Sequence, residues 1–156
     1  MYLGKIYKTK EREFKVSDME EAPETDATIK IRLLSPGERK EVFQASFKTV
    51  YTADETGEMK PEMKSEHYKM AENIFMKAVT GWTDFFEDEE GNIALKFGNA
   101  GKKKLLAVVP EIADFVADCH KQMVDEEIAN TETIKKNLSD GSNASKTNRP
   151  AKNAKK

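Results

Sequence analysis

The clearest hydrophobic pattern is Thr28-Ile29-Lys30-Ile31-Arg32-Leu33-Leu34, where apolar and cationic positions alternate. That period of two places Ile29, Ile31 and Leu33 on one face of a strand. Directly behind it, Ser35-Pro36-Gly37-Glu38 sets a hydroxyl at N-cap, a proline at the first helical position and a glutamate at N3, the pattern of a capping box. Phe43, Phe47, Val50 and Tyr51 follow at helical spacing, which predicts an amphipathic helix over 36–51. Residues 52–64, with Gly57 and Pro61 among charges, read as a mobile loop. A second helical stripe runs through Tyr68, Ala71, Phe75, Ala78, Val79 and Trp82, with Gly81 placed to end that helix in a left-handed conformation. Trp82 is then expected to be a core anchor closing the helix.

Asp88-Glu89-Glu90-Gly91-Asn92 is a turn signal between Phe85-Phe86 and the alternating Ile93–Phe97, predicting a small hairpin or a pair of extended segments. Asn99 is a candidate cap for a short helix carrying Leu105, Leu106 and Val108. Pro110 opens a last helix, with Ile112, Phe115, Val116, Cys119 and Met123 on its apolar face, running to about Asn130. The fold class expected from these elements is mainly α with minor β (α+β): a small helical domain with a short strand or hairpin element and a disordered C-terminal tail. The domain organisation that follows is an N-terminal arm over 1–27, a mainly helical domain over 28–130 and a disordered basic tail over 131–156. The arm is hard to place, because Tyr2, Leu3, Ile6 and Tyr7 are packable while 18–26 is acidic; one short strand or helical turn is expected there.

Charge sharpens the division. The 156 residues carry a net charge of -2. Asp140 is the single acid against Lys146, Arg149, Lys152, Lys155 and Lys156, so 139–156 carries +4 and the rest of the chain -6. The basic end has no large apolar residue after Leu138 with which to offset its ordering entropy. No apolar run approaches the roughly 18 residues that a membrane span needs, and no apolar stretch of the secretory kind follows Met1. With one cysteine there is no disulfide framework within the chain, so a cytoplasmic protein is expected.

Candidate chemistry is sparse. Cys119 and His120 are sequence neighbours on a predicted helix, where adjacent side chains diverge by about 100° and cannot form a thiolate–imidazole pair. His67 and His120 are expected at solvent-exposed helix positions, and Cys119 in the core. The acidic run Asp84, Glu87, Asp88, Glu89 and Glu90 fits no calcium loop, because Gly91 would put Phe86 at the first ligand position; it reads as a solvated loop or a docking surface for a basic partner. Lys102-Lys103-Lys104 reads as a hydrophilic helix start or a phosphate contact, with no interleaved aromatics on which bases could stack. No enzyme activity, cofactor or metal site is expected, and neither nucleic acid nor a membrane is expected as a partner. Phe85, Phe86 and Met123, at the ends of the apolar stripes, are the candidate partner-binding residues.

Val79-Thr80-Gly81-Trp82, the acidic stretch to Glu90-Gly91-Asn92, the alternating segment ending at Phe97, then Asn99, Lys104-Leu105-Leu106 and Val109-Pro110-Glu111 resemble the tail assembly chaperones of long-tailed bacteriophages and prophages. Ile31-Arg32-Leu33-Leu34-Ser35-Pro36-Gly37-Glu38 resembles that family's strand followed by a capped helix. The resemblance covers about 28–130 and does not extend to 1–27 or 52–64. It implies a small, mainly helical, non-enzymatic protein of the host cytoplasm whose partners are the tape measure protein and tail tube subunits. A small structural virion or adaptor protein is the second expectation, and a nucleic-acid-associated regulator the third.

Overall fold

A computed structural model describes residues 10–22 and 24–143. Residues 1–9 and 144–156 lie outside the described residues, and with them Tyr2, Leu3, Ile6, Tyr7 and most of the basic tail. The chain divides into two units, Met1–Gln122 and Met123–Lys156. In chain order the elements are β1 (Glu11–Lys15), a 3-10 turn (Val16–Asp18), β2 (Thr28–Arg32), α1 (Pro36–Ala45), β3 (Phe47–Ala53), β4 (Met59–Ser65), α2 (His67–Ala78), β5 (Val79–Thr83), α3 (Asn99–Val108) and α4 (Glu111–Asn143). Among the described residues, strands form two antiparallel sheets, β1-β2-β5 and β3-β4. The fold is therefore a mixed α+β one, about half helix and a quarter strand, which corrects the expectation of a mainly helical protein with minor β structure.

The first sheet grows from the alternation of β2. Ile29 and Ile31 are completely buried, while the intervening Lys30 is exposed. β1 pairs along the whole of β2, from Glu11 opposite Arg32 to Lys15 opposite Thr28. On the other side β5 pairs Ile29 with Trp82, with an irregularity between Lys30 and Ile31. β5 is a second correction: α2 stops at Ala78, and Gly81 sits in a strand rather than in a left-handed helix cap. Val79 and Thr80 are β-branched, and pairing with β2 outweighs one more helical turn.

The capping box at α1 is present in full. The Glu38 N–H donates to Ser35 Oγ, and the Ser35 N–H donates to Glu38 Oε2 at 2.9 Å. Arg32 at the end of β2 reaches the same carboxylate with both terminal nitrogens, at 2.7 and 3.0 Å, locking strand to helix. The Arg32 hydrogen bond is the main reason that the Glu38 carboxyl is held down at about 2. α1 ends at Ala45, not at residue 51: the buried Ser46 turns its hydroxyl back to the Val42 carbonyl at 2.6 Å, and β3 begins at Phe47. The expected loop over 52–64 is instead the turn and second strand of a hairpin.

Phe75, Leu34, Ile112 and Val116 join Ile29 and Ile31 as the large apolar side chains that are fully buried among the described residues of the first unit. His120 is buried too, correcting its expected exposed position: its Nε2 accepts the Leu34 N–H at 3.1 Å, and burial pushes the imidazole down to about 4. α4 continues past Asn130 to Asn143, so part of the expected tail is helical. In the second unit Met123 is buried, whereas Ile128, Ile134 and Leu138 are exposed. Among the described residues, no helix is long and apolar enough to cross a membrane.

Candidate partner-binding cleft

The segment from Trp82 to Leu105 builds the site. At Asp84 the backbone turns through a positive φ of 59° and directs the chain out of β5. Two extended stretches then face each other: the Leu95 N–H donates to the Phe85 carbonyl at 2.8 Å, the Glu87 N–H donates to the Ile93 carbonyl at 2.7 Å, and Phe86 bridges Ala94. The expected pairing of these segments is thus found, although as an irregular loop rather than named strands. Asp88 fastens the turn, its carboxylate accepting the Ile93 N–H at 2.7 Å and the Asn92 N–H at 3.1 Å. These backbone donors, Ile93 first, hold its carboxyl below the usual range.

Trp82 anchors the returning strand. Its Nε1–H donates to the Leu95 carbonyl at 2.9 Å, and its ring meets Phe97 edge-on at a centroid distance of 4.9 Å and Phe85 at 5.7 Å. The residue is half-buried at a strand, which replaces the expectation of a helix-closing core anchor. α3 lies so close that Gly101 has no room for a side chain: a Cβ there would overlap the Lys96 carbonyl oxygen and press on Trp82 Cζ2 at 3.2 Å. Lys102, next in sequence, is buried. Its ammonium donates to the Met76 carbonyl in the last turn of α2 at 2.8 Å and lies 5.2 Å from the Phe97 ring centroid, while burial lowers its pKa. Lys104 pairs with Glu87 at 2.7 Å. The three consecutive lysines consequently differ: Lys102 is buried against α2, Lys104 is ion-paired, and Lys103 is exposed, with no ion pair among the described residues. The sequence reading missed Lys102 as a helix cap, because its partner lies 26 residues away on another element.

Between this segment, the connection from β1 to β2 and the start of α4 lies a cleft of about 280 Å³. Phe85, Phe86 and Leu95 form one wall, Leu105, Val108 and Ile112 another, and Val16, Met19 and Ala27 the floor from the N-terminal region. Phe86 is 47% exposed and Phe85 half-buried, so two of the three candidate partner-binding residues meet here. Met123 does not qualify as an exposed contact, with 5% of its surface accessible. Val16 and Met19 were not singled out from sequence, since they belong to a region without helical or strand periodicity, and Val108 was named only as an apolar position of a short helix. Asp84 and the Glu87–Lys104 ion pair stand at the lip, with Asp88, Glu89 and Glu90 following Glu87 in the chain. A second recess in the same unit is lined by Asp18, Glu20, Glu21, Glu111, Asp114 and Asp118.

The other candidates stay apart. Cys119 is buried, and burial pushes its thiol up to about 11, while its neighbour His120 is occupied with Leu34. His67 is exposed, 3.8 Å from an Asp114 carboxylate oxygen. Among the described residues, no three histidine, cysteine, aspartate or glutamate side chains are grouped to hold a metal ion. No family model, curated protein or solved structure matches the chain.

Proposed function

We propose that this protein is a non-enzymatic tail assembly chaperone of a long-tailed phage or prophage, working in the host cytoplasm by holding the tape measure protein and engaging tail tube subunits. The observation that carries the reading is that residues of the resembling segment, from Trp82 through Gly101 to Leu105, close around one another and wall a single apolar cleft with an acidic lip. A cleft of that kind fits the apolar stripe of an amphipathic helix flanked by lysine or arginine. Phe86 and Val108 supply the exposed apolar contact, and the carboxylates of both recesses steer a basic partner toward it.

Co-expression tests the proposal. A tape measure protein of a long-tailed phage is produced with and without this chain, and its soluble fraction is measured. The expected outcome is a soluble partner that co-purifies, with loss of both effects for Phe86→Asp at unchanged thermal midpoint. If the partner precipitates equally in both cases while both chains are well expressed, the proposal fails. Recovery of this chain in purified mature particles would instead favour a structural virion component, because an assembly chaperone leaves the finished tail.

A further inference from the structure

The β3-β4 ribbon has features that the chaperone reading leaves unused. Its register opposes Thr49 to Met63, Tyr51 to Pro61 and Ala53 to Met59 on one face, and Lys48 to Lys64, Val50 to Glu62 and Thr52 to Lys60 on the other. Nothing among the described residues adds a third strand. The first face is apolar and open: Tyr51 is 62%, Met59 60% and Met63 69% exposed. Two-stranded ribbons are marginal in water, and a third strand or a packed helix is what usually stabilises them.

The hydrogen-bond pattern shows which edge can accept a strand. The Asp54 N–H donates to the Glu58 carbonyl and the Glu66 N–H to the Ser46 carbonyl, both at 2.9 Å, at the two ends of the ladder. Antiparallel pairs alternate, so the even-numbered residues of β3 and β4 bond to each other and the odd-numbered ones turn their N–H and C=O groups outward. On β4 the central outward residue is Pro61, which has no N–H, so that edge is interrupted. On β3 the outward residues are Phe47, Thr49, Tyr51 and Ala53, each with its donor intact. The strand is Phe-Lys-Thr-Val-Tyr-Thr-Ala, rich in β-branched and aromatic residues.

We propose that the β3 edge pairs antiparallel with the β3 edge of a second copy of this chain, across a two-fold axis at Val50, to make a four-stranded sheet. Charge favours a copy over an unrelated strand. β3 begins next to Lys48, which stands directly opposite Lys64 as an unfavourable like-charge pair, and it ends at Asp54-Glu55. Antiparallel pairing of two copies lays the basic start of each strand beside the acidic end of the other, with Lys48 opposite Thr52 and diagonal to Asp54 of the second copy. The same register sets Thr49 against Tyr51, a β-branched–aromatic pair, and full overlap is reached over Phe47–Ala53. The two apolar faces fall on the same side of the sheet, as an isologous contact requires.

The test uses the full chain in sedimentation equilibrium. The wild type should be a dimer, and Thr49→Pro should weaken it by at least about tenfold, because an outward N–H is lost while the bonds to β4 stay. Met63→Pro, on the already interrupted edge, should leave the dimer intact. A second readout does not depend on tolerance of proline. In a Cys119→Ser background, Val50→Cys should form an intermolecular disulfide on mild oxidation, since residue 50 faces itself across the axis, whereas Thr52→Cys should not. A wild type that stays monomeric at all concentrations, or equal cross-linking at positions 50 and 52, overturns the proposal. Failure here leaves the cleft and its Phe86→Asp test untouched.

Discussion

The two sheets of the first unit reach stability by opposite routes. β1-β2-β5 buries Ile29 and Ile31 among Phe75, Ile112 and Val116, and its middle strand is paired on both sides. The β3-β4 ribbon buries almost nothing and relies on local chemistry. Its turn is fastened by Asp54, whose carboxylate accepts the N–H groups of Thr56 and Glu58 and pairs with Lys60 at 2.8 Å. The lesson is that strand content by itself says little about how firmly a segment is held. Burial decides the first sheet, and intrinsic propensity with turn chemistry decides the second.

The largest expected effect contrasts their cores. Ile31→Ala removes a fully buried side chain from β2 and should cost about 2–5 kcal/mol in chemical denaturation. A loss below about 1 kcal/mol, no more than many surface changes cost, would mean that the first sheet is no better anchored than the ribbon.

Acidification comes next, because it strikes the buried sheet region and spares the ribbon. His120 is held neutral in the fold at about 4, against an ordinary value of 6.5, so on unfolding it takes up a proton at mildly acidic pH. Its contribution is complete above pH 6.5 and is lost as pH falls toward 4, amounting to up to about 3 kcal/mol. Denaturation midpoints measured across that window should fall steadily for the wild type and much less for His120→Gln. Equal slopes would show that His120 is not the group responsible.

A smaller effect belongs to the close approach of α3. Gly101→Ala forces a methyl group against the Lys96 carbonyl and Trp82, at an expected cost of about 1–3 kcal/mol and with a change in Trp82 fluorescence. An unaltered emission spectrum would show that the helix can move aside freely. The smallest effect returns to the ribbon. Met63→Ser should change global stability by less than about 0.5 kcal/mol. Asp54→Ala should raise amide exchange across 47–65 while the midpoint barely moves; a cooperative drop in midpoint would make the ribbon part of the core's folding unit.

The same contrast explains what could be read from the sequence. β2 was legible because burial imposes alternation, and α1 began where Ser35-Pro36-Gly37-Glu38 said it would. The ribbon was not legible as strands, because Phe43, Phe47, Val50 and Tyr51 mimic a helical stripe across the junction of α1 and β3. In fact Phe43 and Phe47 touch ring to ring, 4.4 Å apart, one from the helix and one from the strand. β5 was misread for a related reason: its partner β2 lies about fifty residues earlier, and no local rule reports such pairing. At the cleft, Phe85 and Phe86 could be found from their place beside a turn signal. Met19, Val108 and the capping role of Lys102 depended on contacts made only in the folded chain.

Cys119 gives the protein a built-in clock. It is the only thiol in the sequence, it is buried, and its raised ionisation keeps it in the unreactive form at neutral pH. With 8% of its surface accessible, at the edge of the recess that runs from Asp18 to Gln122, it should react with a maleimide slowly in the closed fold and faster when the surrounding helix opens. The rise in labelling rate over that of the closed fold, followed against denaturant, then reports those openings, without an engineered site, as a free energy for the segment around Val116 and His120.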